Sequence, residues 1–177
     1  FYFMTADTME GVIREYRHLT GKAALLPKWA FGYLQSKERF ETQEEIERVA
    51  KWYRENNIGI DGIILDWFSW EDGKWGQKSF DKSRFPNPTE MVKKLHEQDY
   101  HFMISIWQSM DESCENYKEH SERGYILPGT NIYDAFRKEA RELYWKHAKE
   151  GLFDHGIDAW WCDNCEPFTP EWNSLRR

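Results

Sequence analysis

Apolar positions along the chain switch between helical spacing and continuous runs, and each switch marks the border of a predicted element. Met9, Val12, Ile13 and Tyr16 recur on one helical face, with Thr8 as N-cap and Gly21 beyond the end, which predicts a helix over residues 8–18. Residues 29–35 follow Pro27 and are aromatic and apolar throughout, the composition of a first strand buried on both faces. Thr42 and Glu45 form a capping box; Ile46, Val49, Ala50 and Tyr53 then mark a helix ending near Asn56 and Asn57. After a turn at Gly59, residues 62–67 make a continuous apolar run that ends in an acid, the pattern of a parallel strand with a polar tip. Pro86 and Pro88 punctuate the next loop. Met91, Val92 and Leu95 predict a helix, and residues 101–107 a third strand. Residues 109–131 show no periodicity, and a connection longer than about 12 to 15 residues is usually a functional loop or lid. A helix comes next, with Phe136, Ala140, Leu143, Tyr144 and His147 on one face and Gly156 beyond its end; residues 158–163 form a fourth strand.

Strand-helix units therefore repeat, and right-handed crossovers set such strands parallel with helices over them, an α/β fold. A doubly wound sheet and half of a (β/α)8 TIM barrel both fit this order. No Gly-x-Gly-x-x-Gly follows any strand, so the dinucleotide-binding doubly wound fold lacks its phosphate cradle and the barrel is preferred. A complete barrel needs about 250 residues, so four units are expected to be its N-terminal half. Residues 1–28 are expected to be a lead-in helix and linker from a preceding domain, since Phe1-Tyr2-Phe3 looks like the tail of a strand, and residues 29–177 the half barrel.

Composition narrows the function. The 177 residues carry a formal charge of -7 with Lys and Arg scattered among acids, so no basic face is available for nucleic acid. No apolar run approaches the roughly 18 residues of a membrane span, and the start lacks the charge and cleavage site of a signal peptide. Three cysteines do not make a disulfide framework; reduced thiols, and with them a reducing compartment such as the cytoplasm, are slightly favoured. Aromatic residues make up 17%, ten of them Trp, and an indole ring is costly to expose unless something flat and apolar covers it. A sugar ring is one such cover.

In a barrel the C-terminal ends of the strands converge on one pocket. Asp66, Trp67, Trp107, Trp161, Asp163 and Glu166 lie at or just past such ends. Acids beside indoles suit a carbohydrate, which offers hydroxyls to the one and a C–H face to the other. The ordinary reading is that acids cap strand ends and Trp fills barrel walls.

Trp161-Cys-Asp-Asn-Cys-Glu-Pro167 resembles the Trp-x-Asp-x-x-Glu-Pro nucleophile motif of glycoside hydrolase family 31. Trp29-Ala-Phe-Gly-Tyr-Leu-Gln-Ser36, Leu65-Asp66 and Phe85-Pro-Asn-Pro88 extend the resemblance in order and spacing across nearly the whole chain. It implies retaining hydrolysis of α-glycosides of an oligosaccharide substrate, with Asp163 as the nucleophile that forms a glycosyl-enzyme ester. It further implies Asp66 as a ligand of sugar hydroxyls at the nonreducing end, with Trp161 and Trp107 lining the pocket. Glu166 shares a short turn with the nucleophile, so it is expected to orient neighbouring groups rather than to donate a proton. The family's acid/base Asp comes several strands later, and the isolated segment is expected to be inert. Two positions depart from the pattern: Ile64 stands where many α-glucosidases carry a second acid, and Asn164 follows the nucleophile in place of Met. The stretch Gln-Ser-Lys-Glu-Arg39 is more similar to the bacterial α-xylosidase branch, with Lys37 and Glu38 near where an aromatic often lines the α-glucosidase pocket, so α-xylosidase is favoured over α-glucosidase.

Two rivals come from other classes. Cys162 and Cys165 have redox or metal spacing, but no helix follows to activate a thiol and no second pair completes a zinc site. An aromatic barrel could also bind sugar without cleaving it. No cofactor or metal is implied, because glycosyl transfer through a carboxylate needs none; the oligomeric state is left open.

Overall fold

The computed structural model describes residues 1–163 of the 177-residue chain. The chain divides into two compact units, residues 1–31 and residues from 32 onward. In the first, α1 (Met9–Thr20) forms as the spacing predicts: Thr8 Oγ1 accepts from the Gly11 N–H at 3.1 Å, and Gly21, at φ +81°, donates to the Arg17 carbonyl. Residues Lys28–Phe31 form a 3-10 turn, closed by an Ala30 N–H bond to the Pro27 carbonyl, where the sequence predicted a strand.

The second unit is a parallel sheet of β1 (Leu34–Gln35), β2 (Gly62–Leu65), β3 (His101–Ile106) and β4 (Ala159–Cys162), in the order β1-β2-β3-β4. Spatial order equal to chain order is the arrangement of successive units of a (β/α)8 barrel. A doubly wound sheet would reverse at a switch point. The first strand is much shorter than the predicted 29–35 and is not buried on both faces, since Tyr33 is exposed and Leu34 half-buried. Just before it, the backbone is held by Asp61. Gly32 passes so close to Asp61 that an added Cβ would meet its carboxylate, and the Tyr33 N–H donates to Asp61 Oδ2 at 3.1 Å.

Between the strands run α2 (Gln43–Glu55), α3 (Pro88–His96), α4 (Glu115–Glu122) and α5 (Lys138–Gly151). Thr42 caps α2 through Glu45 N–H at 3.2 Å, while the Glu45 carboxylate accepts from the Glu41 N–H at 2.8 Å, one residue earlier than the usual box. Ile63, Leu65, Phe102 and Ile104 face these helices and form one buried core with Ile46, Ala50, Met91 and Leu95. At the N-terminal ends of the strands, Asp158 Oδ2 accepts from the Phe102 N–H at 2.7 Å and lies 2.8 Å from His96 Nε2.

Residues 109–131, expected to be without structure, contain α4 and are clipped in place by bridges from Ser109 to Ile132 and from Ile126 to Tyr133. The helix escaped detection because its buried residues, Asn116 and His120, are polar, so no apolar period marks it. Phe136 is a second correction. It precedes the first turn of α5 and is exposed, whereas Ala140, Leu143, His147 and Ala148 are the buried face.

Candidate active site

Side chains alternate across a strand, so Ile63, Leu65, Phe102 and Ile104 on the helix side leave Ile64, Met103 and Ser105 on the inner face. Leu65 pairs with Ile104, and Ser105 with Trp161. Asp66, one residue past Leu65, is therefore level with Ser105 and Trp161. Trp107 and Asp163 come directly after the paired residues Ile106 and Cys162, one level closer to the strand ends. The register brings four of the expected site residues, Asp66, Trp107, Trp161 and Asp163, to one end and one face of the sheet. Trp161 is half exposed there, and the Asp163 N–H turns back onto the Trp161 carbonyl at 3.1 Å.

Asp66 is held by two donors on one oxygen: Oδ1 accepts from Ser105 Oγ at 2.7 Å and from the Trp67 N–H at 2.7 Å. Both are short bonds to a charged acceptor, which fix the carboxylate's orientation and leave its other oxygen outside these two bonds. Ser105 is buried and has no counterpart among the residues selected from the sequence, although its odd-numbered position on the strand shared with Trp107 is the signal that would have found it. Trp67 donates from a left-handed backbone, φ +64°, a conformation uncommon for a bulky residue and one the surroundings must enforce.

Those surroundings are aromatic. The Trp67 ring lies 6.5 Å from Trp75; Trp75 lies 5.2 Å from Trp107 and 5.7 Å from Trp70; Trp70 meets Trp107 edge-on at 5.4 Å. Trp107 is buried against Trp70 and Trp75, and its Nε1 has no hydrogen-bond partner among the described residues. Arg39 and Arg84 stand 4.3 Å and 4.5 Å from the Phe68 ring, and Arg84 also donates to the carbonyls of Phe68 and Trp70. Lys78, bonded to the Trp107 carbonyl, is buried, and burial pushes its ammonium down to about 7. Burial likewise holds His120 and His147 below the usual histidine range and pushes the Cys114 thiol up.

Lys37 and Glu38 follow the C-terminal end of β1, and Glu166 is not described. Lys37 is engaged with Glu45 at the start of α2, 2.5 Å from Oε1 and 5.6 Å from the Phe40 ring, and Glu38 is exposed. Glu166 lies outside the described residues, as do Asn164 and Cys165; Cys162 is an exposed free thiol. Among the described residues, no three His, Cys, Asp or Glu side chains are grouped to hold a metal, and no helix is long and apolar enough to cross a membrane. An apolar hollow of about 570 Å³ opens on the opposite face, lined by Ile106, Tyr144, Trp145, Trp160 and Cys162. It is separate from the acids, because the strand alternation that turns Trp161 inward turns Trp160 and Cys162 outward.

The family model for the glycosyl hydrolases family 31 TIM-barrel domain matches residues 23–176. The chain is 44% identical over 169 residues to an α-xylosidase of Saccharolobus solfataricus, covering 96% of this chain and 23% of that protein. Among solved structures it is similar to a family 31 α-xylosidase from a soil metagenome complexed with xylose, at TM-score 0.82 and 35% identity, covering 92% of this chain and 26% of that one. It is also similar to the family 31 α-xylosidase of Xanthomonas citri, at TM-score 0.81 and 32% identity over 94% of this chain and 22% of that one. The chain thus spans about a quarter of the length of these relatives.

Proposed function

The chain belongs to glycosyl hydrolases family 31, and from that premise we propose that the protein removes nonreducing-end α-xylosyl residues from oligosaccharides with retention, Asp163 acting as nucleophile. The observation that carries this reading is the strand-end face on which two carboxylates stand among tryptophans. Sugar hydroxyls need acceptors in fixed positions, and the doubly bonded Asp66 is one. Sugar C–H faces need flat apolar partners, and Trp67 and Trp161 have exposed rings.

In this reaction the Asp163 carboxylate attacks the anomeric carbon while a second carboxylic acid protonates the departing oxygen. Water, deprotonated by that same second group, then cleaves the glycosyl ester. The two groups of a retaining enzyme stand about 5 to 5.5 Å apart. The second group is expected on a later strand of the barrel, so the 177 residues alone are expected to be inert. Xylose is preferred to glucose as the substrate because the α-xylosidase relative shares 44% of the matched residues.

The test is cleavage of aryl α-xyloside and aryl α-glucoside by a polypeptide containing the complete barrel, beside its Asp163→Asn variant. Xyloside should be preferred, and the variant should lose about 10³-fold or more in kcat. Undiminished cleavage by the variant would remove Asp163 from the role. A preference for the glucoside would leave an α-glucosidase, and binding of oligosaccharide without cleavage a sugar-binding module.

A further inference from the structure

Among the described residues Lys78 is the one buried lysine, and a methionine would fill its space without the cost of desolvating an ammonium. Its Nζ donates to the Gly76 carbonyl at 2.6 Å and to the Trp107 carbonyl at 2.9 Å, and lies 4.6 Å from the centre of the Tyr144 ring. Tyr144 donates its own hydroxyl to the same Trp107 carbonyl at 2.7 Å. Gly76 follows Trp75 directly and belongs to the loop after β2; Trp107 directly follows β3. One ammonium thus joins two segments whose indole rings touch at 5.2 Å. The loop runs close against the chain beyond β3: Gly76 sits at φ +79° beside the Ser109 carbonyl, with no room for a side chain.

We propose that Lys78 is a positioning residue for the sugar site: by tying the Gly76 and Trp107 carbonyls together it fixes Trp75 and Trp107, and through Trp75 the exposed Trp67 ring and its bond to Asp66. The proposal rests on the reading of this face as a sugar site. Its agent is a pair of N–H bonds that either protonation form supplies: the ammonium carries three N–H groups, and the free amine keeps two, enough for both carbonyls. A buried group whose proton affinity is strongly displaced beside a candidate pocket is a recognised sign of function, and here it agrees with the geometry.

The experiment compares Lys78→Met, which removes the donors, with Lys78→Gln, whose amide keeps two, in a polypeptide containing the complete barrel. Lys78→Met is expected to raise KM for the aryl α-xyloside about tenfold while kcat changes less than about threefold, and to shift tryptophan emission. Lys78→Gln should return both KM and emission to near the parent values. Tyr144→Phe, which removes one donor to Trp107 without emptying the site, should raise KM in the same direction by less, and carries the test if Lys78→Met does not fold. Unchanged KM and emission in Lys78→Met, or failure of Gln to restore them, would overturn the proposal. If the parent cleaves no glycoside, the reading of the site fails by itself. Emission in the same variants then decides whether Lys78 holds Trp75 and Trp107.

Discussion

Replacing Ser105 with Ala tests whether the orientation of Asp66 matters. The hydroxyl is buried and gives Asp66 Oδ1 a 2.7 Å bond, which a methyl group cannot replace. A hydrogen bond to a charged group contributes about 1.5–3 kcal/mol, equivalent to roughly 10- to 150-fold in an equilibrium or rate. The Trp67 N–H still holds the same oxygen at 2.7 Å, so the lower end applies, a loss of about 10- to 20-fold in kcat/KM for the aryl α-xyloside in a polypeptide containing the complete barrel. Stability should move by less than about 1 kcal/mol, because the alanine occupies the same space and leaves the carboxylate a second donor and access to water. Ser105→Thr keeps the hydroxyl on a side chain suited to a strand and should recover most of the activity. Steady-state kinetics with thermal unfolding of the same samples separates the two effects. A change below about threefold in Ser105→Ala, where Asp66→Ala abolishes cleavage, would show that this bond does not orient the acid. No effect of Asp66→Ala either would remove Asp66 from the sugar site.

Two further outcomes concern stability. Gly151→Ala would gain about 1 kcal/mol of helix propensity at the end of α5, but its Cβ would stand 1.9 Å from the Lys78 carbonyl oxygen, a backbone atom that cannot rotate aside. Overpacking of about 1–3 kcal/mol then prevails, and the unfolding temperature should fall; Gly59→Ala, with nothing within 4 Å, should hold it or raise it. Equal behaviour of the two variants would refute the clash. His120 and His147 are kept below the usual histidine range by burial, so the unfolded chain takes up protons near pH 6.5 before the folded one does. Their contribution is complete above about pH 6.5 and is lost as pH falls through the folded values, and a His120→Gln, His147→Gln variant should lose stability less steeply between about pH 7 and 5. A parallel pH profile of urea midpoints in parent and variant would contradict this.

Much of the fold can be read from local pattern because the driving terms are local. Thr8 and Thr42 cap the helices they precede since their side chains can reach N–H groups three residues on, whatever lies elsewhere. The apolar runs at Gly62–Leu65 and His101–Ile106 are strands because both faces of a barrel strand must be covered. Where burial is polar the same logic is blind. The α4 helix turns Asn116 and His120 inward, and Lys78 is indistinguishable in the sequence from the solvated lysines around it.

The site divides along the same line. That Asp66, Trp107, Trp161 and Asp163 fall at the ends of strands is legible in the order of residues, since position along a strand is a matter of counting. Which residues stand level with one another depends on the register between strands far apart in the chain. That register makes Ser105 the partner of Asp66, thirty-nine residues away, and Lys78 the bridge to Trp107, twenty-nine away. Tertiary packing also pairs Lys37 with Glu45 at the start of α2. Such pairings are decided only when packing sets the sheet, because a shift of one residue turns every side chain of a strand to the opposite face.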